Sequence, residues 1–304
     1  MKELYATVGI SKQSHLWAVK REAQLEDRFA LLCPVLTEER ELHPAMSLKK
    51  MYHMLKPDFV GRDAFVHFGM TNGFEPFLPP KFHKTTDSTP KNAYPNLLHD
   101  AILYDIDQVW ASDIFYFKIL DHFCYVVLIE DLYSRKILGF NAAKNMFAQA
   151  NLSALQMALK ERSHAHYACK LTHHSDKGSQ YRSRLYTDEL TRSGIRISMG
   201  NSCYDNAFME SANRIIKREY LIHRPIQTLE QLIKYLNEAV ILYNTKRPHG
   251  NLNFMTPDEF ERYIFNIPLN QRHPLNIYTD KSKKHKLLNI QPDNHQLRLL
   301  FPNY

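Results

Sequence analysis

The chain has 304 residues, 44% of them hydrophobic, enough to bury a real core in one large domain or two modest ones. Lys and Arg outnumber Asp and Glu by 39 to 32, a net charge of +7 that favours an anionic partner such as DNA. Charges interrupt Met1 to Glu22 before any apolar segment develops, the longest apolar stretch (Phe123 to Ile129) is too short to cross a bilayer, and Cys33, Cys124, Cys169 and Cys203 stand singly, which argues against a signal peptide, a membrane span, a disulfide framework and a zinc knuckle and predicts a cytoplasmic chain with reduced thiols.

Residues 1–78 read as small helices. Gln13 to Phe29 is polar and charged, Thr37 to Leu42 is short, and Ser47 can cap a helix with Leu48, Met51, Tyr52 and Leu55 on one apolar face. Lys56-Pro57 breaks it, and Arg62 to Met70 forms the next helix with Phe65 and Phe68 inward. Such a pair fits helix-turn-helix, and equally a plain helical packing domain. Residues 79–100 form a basic, Pro-rich linker whose Lys81, His83, Lys84 and Lys91 could follow a phosphate backbone.

From 101 to 265 the pattern alternates. Gln108 to Ile119, Phe123 to Ser134 and Lys136 to Lys144 are aromatic and β-branched runs with tight polar turns between them, as an antiparallel meander requires. A helix over Phe147 to Arg162, a strand at Lys170 to His174, a helix near Arg184 to Ser193 ended by Gly194, and a strand at Ile195 to Met199 follow. A helix bearing Glu210 comes next, with Asp205 as its N-cap and Phe208, Ala212 and Ile215 facing the core. Leu229 to Tyr243 is a further amphipathic helix. Residues 266–304 lose periodicity and form a basic tail including Lys281 to Lys286, read as solvated, with non-specific DNA contact as the second reading.

Three acids stand at informative points. Asp113 lies in the first aromatic strand, Asp176 in the polar turn His173 to Tyr181, and Glu210 in the helix after Tyr204-Asp205-Asn206, on a face shared by the 3.6-residue period with Arg214 and Lys217. Three oxygen donors suit Mg²⁺ or Mn²⁺. His164, His166, Cys169, His173 and His174 lack the ligand-pair spacing of structural zinc.

Trp110-x-x-Asp113, His174-Ser175-Asp176-x-Gly178-Ser179-Gln180-Tyr181, Ser198-Met199, Cys203-Tyr204-Asp205-Asn206-Ala207-x-x-Glu210-Ser211, Lys217 and Tyr243-Asn244-x-x-Arg247-Pro248-His249 resemble the DDE transposases of bacterial insertion sequences. The likeness is to the second-reading-frame product (OrfB) of insertion-sequence family three, across roughly residues 40–260. The Asp176 to Glu210 gap, 210 − 176 = 34, is slightly shorter than that family's usual spacing.

The resemblance implies an RNase H-like integrase catalytic core, a mixed five-stranded sheet with flanking helices, preceded by a small all-helical helix-turn-helix-like region. It implies Asp113, Asp176 and Glu210 as catalytic metal ligands for two Mg²⁺ or Mn²⁺ ions, which serve both DNA cleavage and strand transfer. Lys177, Gln180, Tyr181, Lys217, Arg247 and His249 are candidate DNA contacts, although Arg247 and His249 could equally pin the last helix. Implied partners are the element ends and target DNA, an upstream-frame (OrfA) product as a fusion, and further copies in a synaptic complex associated with the nucleoid. An RNase H-like nuclease that does not join strands and a catalytically silent DNA-binding regulator are the competing readings.

Overall fold

The computed structural model describes residues 11–77, 94–162, 171–200 and 206–277. Most of the Pro-rich linker, the Asp205 cap, His164 to Cys169 and the Lys281 to Lys286 run lie outside them. The chain divides into two compact units, residues 1–84 with 214–259 and residues 85–213 with 260–304. Among the described residues no helix is long and apolar enough to cross a membrane.

The first unit begins with α1 (Lys12–Leu42), one helix of 31 residues where the sequence suggested two pieces. Pro34 removes a single main-chain bond, while Leu32 and Leu36 on either side pack against Met46, Met51 and Phe65, so the helix runs through. α2 (Leu48–Leu55) and α3 (Arg62–Thr71) form as expected, with Lys56 in the left-handed region ending α2. Ser47 occupies the N-cap position of α2, but its side chain makes no cap bond, contrary to the expectation. The Arg40 guanidinium donates to the carbonyls of His43, Pro44, Met46 and Phe74, tying the end of α1 to the loops around the α2–α3 pair.

The second unit is built on a five-stranded sheet. After the short β1 (Ile102–Leu103), β2 (Val109–Ile119), β3 (His122–Asp131) and β4 (Ile137–Ala143) form the antiparallel meander. Asp131 shapes the β3–β4 turn by accepting from the backbone N–H groups of Tyr133 and Ser134. α4 (Ala148–Glu161) lies against β4 at close range: a Cβ on Gly139 would stand 2.0 Å from the carbonyl oxygen of Ala154. β5 (Thr172–Ser175) runs parallel to β2, α5 (Arg184–Arg192) is capped by Ser183 and followed by Gly194 at φ +69°, and β6 (Arg196–Met199) runs parallel to β5. The order β4-β3-β2-β5-β6, antiparallel on one side and parallel on the other, is the RNase H-like arrangement that the sequence implied. Trp110, Leu155, Tyr186 and Leu190 are buried at its centre.

α6 (Ala207–Ile215) passes into a π-helix, Ile216–Leu221. α7 (Leu229–Thr245) opens on a capping box between Thr228 and Gln231. Beyond it Arg247 donates from Nε and Nη2 to Glu219 at 2.8 and 2.9 Å, and His249 packs edge-on against Tyr243. In the sheet unit, Glu261 of α8 (Pro257–Phe265) accepts from Ser134 and Arg162 and pairs with Lys136. The segment beyond Tyr263, without periodicity in sequence, supplies β7 (Leu275–Asn276), which pairs with β1, and Arg272, which pairs with Asp105.

Candidate active site

Asp113 and Asp176 come together through strand register. β2 and β5 pair Trp110 with His173 and Ala111 with His174, and that register continued by two residues leads to Asp113 on β2 and Asp176 just past the end of β5. Asp113 is half-buried and Asp176, just past the end of β5, is exposed. The turn after Asp176 folds back on its own carboxylate: the Gly178 N–H donates to Asp176 Oδ1 at 2.9 Å. A Cβ at Gly178 would lie 2.9 Å from that oxygen, which is why the motif carries glycine there.

The opposite face of β2 fixes this pair. Tyr181, at the end of the same turn, is buried and its hydroxyl lies 2.8 Å from that of Ser112, the neighbour of Asp113. Tyr186 bonds His173 at 2.8 Å, and His174 bonds Ser198 at 2.9 Å. Burial raises the Tyr181 phenol well above its ordinary pKa, with Tyr186, Asp113 and Asp176 adding to the effect. Burial pushes His173 down to about 3, aided by His174. Tyr181, Tyr186 and His173 are therefore uncharged at neutral pH.

Two asparagines attach the helix of the third acid. Asn206 donates to the carbonyl of Ser112 at 3.3 Å, and Asn213 donates to Asp113 Oδ2 at 2.8 Å. They are seven residues apart (213 − 206), and Glu210 lies between them, four residues after the first and three before the second, hence on the same face of α6. Met209 and Ala212 pack inward, and Arg135 stacks on Phe208 at 4.1 Å. Glu210 itself is exposed in the first turn. Among the described residues no group of three or more His, Cys, Asp or Glu side chains is gathered closely enough to hold a metal, so Glu210 does not share a closed shell with the aspartates. Asn213 was not singled out in the sequence, although the Asn206-x-x-x-Glu210-x-x-Asn213 spacing was there to be read.

The other expected contacts divide. Lys177 and Gln180 are half-buried; Gln180 donates to the carbonyl of Met146 at 3.3 Å, and the carbonyl of Lys177 accepts from Arg182. Lys217 is half-buried, and burial lowers its pKa. It lies in the π-helix, so the α-helical period that aligned it with Glu210 stops short of it. Tyr181, Arg247 and His249 correct the sequence expectation of DNA contact: they are 1%, 1% and 7% exposed, and each side chain is engaged inside the protein. Arg247 is bonded to Glu219 and His249 packs on Tyr243, both inside the helical unit.

The integrase core domain family matches residues 106–203 and, through a second family of the same description, residues 192–257. The insertion element IS600 uncharacterized 31 kDa protein of Shigella sonnei is 33% identical over 189 residues, 60% of this chain and 68% of that protein. Transposase InsF for insertion sequence IS3A of Escherichia coli (strain K12) is 33% identical over 159 residues, 51% of this chain and 54% of that one. The chain belongs to the insertion-sequence transposases with an integrase-type core. The chain thus matches about half the length of InsF and about two thirds of the IS600 protein. The HTLV-2 integrase catalytic core domain in complex with magnesium is 19% identical, covering 55% of this chain and 99% of that chain, with a TM-score of 0.41. Asp113 and Asp176 fall within the first integrase core match and Glu210 within the second.

Proposed function

We propose that the chain is the catalytic subunit of its insertion sequence, cutting DNA at the element ends and joining the freed 3′-OH to a target, with Asp113, Asp176 and Glu210 as the working acids. What supports this most is that the β2–β5 register leads to Asp113 on β2 and Asp176 just past the end of β5, while the helix carrying Glu210 is bonded to Asp113 itself through Asn213. Oxygen donors of this kind fit Mg²⁺ or Mn²⁺, and the three acids would hold the ions, two per site. Bound there, a divalent ion supplies positive charge to the phosphate oxygens and lowers the pKa of the attacking hydroxyl.

The chain's own groups do the rest. Asn213 orients one oxygen of Asp113, and the Gly178 N–H orients one of Asp176. The buried Tyr181, Tyr186 and neutral His173 keep water from behind the acids and stiffen both strand ends. Lys177, Gln180 and Lys217 contact strand backbone, and residues 1–78 with the 79–100 linker add further phosphate contacts. The upstream-frame product, as a fusion, and further copies complete the end-pairing assembly on the nucleoid. The test uses the purified chain, Mg²⁺ and duplexes bearing the repeats that flank its gene, intact and pre-cut. Nicking of the first and joining of the second are expected, and both should vanish in Asp113→Asn, Asp176→Asn and Glu210→Gln while folding and DNA binding persist. An acid whose variant keeps a near-normal rate loses its assigned role, and hydrolysis without joining would make the chain a nuclease.

A further inference from the structure

The sheet face that bears Asp113 carries a further acid, Glu130, outside the three already assigned. β2 and β3 pair Asp113 with Leu128 and Ala111 with Glu130, so Glu130 shares the face of Ala111 and Asp113 and is a diagonal neighbour of Asp113, one residue pair further from the strand end at which Asp176 lies. The same row crosses Ala111 to His174 on β5, whose Nδ1 lies 2.9 Å from Ser198 Oγ. Glu130 is 1% exposed, at a position whose neighbours on the face include Ala111 and Leu128. Carboxylates are rarely buried so fully, because their charge loses water, and an apolar side chain would suit the position at lower cost. What the glutamate adds there is negative potential. The asparagines of the neighbouring helix point the same way. Asn213 gives an amide N–H to Asp113 Oδ2 at 2.8 Å, while its own Oδ1, on a side chain 7% exposed, has no hydrogen-bond partner among the described residues, and the same holds for Oδ1 of the buried Asn206. Buried amide oxygens with spare acceptor capacity suit the water shell of a divalent ion, which donates hydrogen bonds.

We propose that Glu130 is a fourth acid of the metal site, which strengthens the hold on a divalent cation at Asp113 through its field and not as a ligand. This rests on the metal-dependent function proposed above. Glu130 does not close a shell with Asp113 and Asp176, since among the described residues no three such side chains are gathered closely enough to hold an ion. At the roughly 7–8 Å between diagonal neighbours on a sheet, a carboxylate attracts a divalent ion strongly enough, even in a largely aqueous dielectric, to change its affinity by about tenfold.

The experiment titrates Mn²⁺ into the full chain without DNA, with binding followed by calorimetry and folding by urea unfolding. Glu130→Gln and Glu130→Met remove the charge at nearly constant volume and should bind Mn²⁺ about tenfold more weakly than the wild type while remaining folded. Glu130→Asp keeps the charge and should stay close to the wild type. The methionine variant carries the test if the glutamine variant fails to fold, because an apolar chain is at home in a buried position. Wild-type affinity in both uncharged variants overturns the inference, and so does an equal loss in Glu130→Asp, which would make packing and not charge the cause. Asp113→Asn separates this inference from the function beneath it. If that variant loses Mn²⁺ binding while the uncharged Glu130 variants keep it, the role of Glu130 falls alone; if it binds Mn²⁺ like the wild type, the metal role of Asp113 falls and this inference with it.

Discussion

Arg247 offers a clean division between a residue that grips DNA and one that holds the fold. Its guanidinium is 1% exposed and makes two bonds to Glu219, whose carboxyl would be raised by burial but is held below its usual range by Arg247. Glu219→Gln leaves the arginine charge buried with a neutral partner; Arg247→Met leaves the carboxylate buried, relieved only partly by Lys50. Removing one member of a buried pair costs about 3–5 kcal/mol. At roughly 2–4 °C per kcal/mol for a body of this size, each variant should lower the melting transition of the helical unit by about 10 °C. The double variant should cost less than the sum of the two, because it leaves no orphaned charge. Urea unfolding followed by circular dichroism measures the first effect, and the salt dependence of duplex binding measures the second, which should keep its slope. A loss under about 1 kcal/mol together with a slope reduced by about one phosphate would return Arg247 to the DNA interface and refute the pairing argument.

Asn213→Asp would set a second carboxylate where the amide stands 2.8 Å from Asp113, so the pH needed for cleavage should rise by about one unit or more; an unchanged pH–rate profile would show that Asn213 does not govern Asp113. Gly139→Ala must lift α4 from β4, because its Cβ would meet the Ala154 carbonyl at 2.0 Å, and should cost about 3 kcal/mol or more in urea unfolding; a loss under 1 would mean the helix yields freely. Lys217→Ala should lower the salt slope of duplex binding by about one, and an unchanged slope would make it a solvated side chain. His173, held neutral with a pKa near 3 against about 6.5 unfolded, binds its proton in the unfolded chain first, so its effect is stability lost as pH falls from 6.5 toward 3. The stability gap between wild type and His173→Gln should therefore narrow below pH 6.5 by up to about 1.4 kcal/mol per pH unit, and a gap independent of pH would mean the ring is protonated when folded.

The sheet was legible because its strands are rich in aromatic and β-branched residues with turn residues at each reversal, and the helix after β4 because Leu152, Leu155 and Leu159 recur at helical spacing. The acids were legible only as an ordered set within a resemblance; no single carboxylate announces itself. Local pattern failed where tertiary contacts decide. Pro34 and a polar run hid a continuous α1, since Leu36 and the loop carbonyls gathered by Arg40 stabilise its far end. Arg247 and His249 looked available because a positive charge in a turn is ordinarily exposed, and Glu219, its partner 28 residues earlier, has no local relation to it. Tyr181 looked like a strand contact, but it is the side chain that carries the Asp176 turn back onto β2. β7 escaped notice because two residues make no period.

Among the described carboxylates, Glu219, Glu261 and Asp105 can be set beside Asp113 by the donors that orient them. Glu219, Glu261 and Asp105 are each satisfied by an arginine, so their charge is cancelled on the spot and they serve packing. Asn213 instead gives Asp113 a dipole, as the Gly178 N–H gives one to Asp176. Such a bond fixes the direction of a carboxylate oxygen without cancelling its charge. An arginine in place of Asn213 would hold Asp113 more firmly and would remove the negative potential that a divalent cation and its phosphate ligand require. Neutral donors on the two aspartates suit a site whose positive charge arrives from solution, and burial holds Tyr181, Tyr186 and His173 uncharged as well.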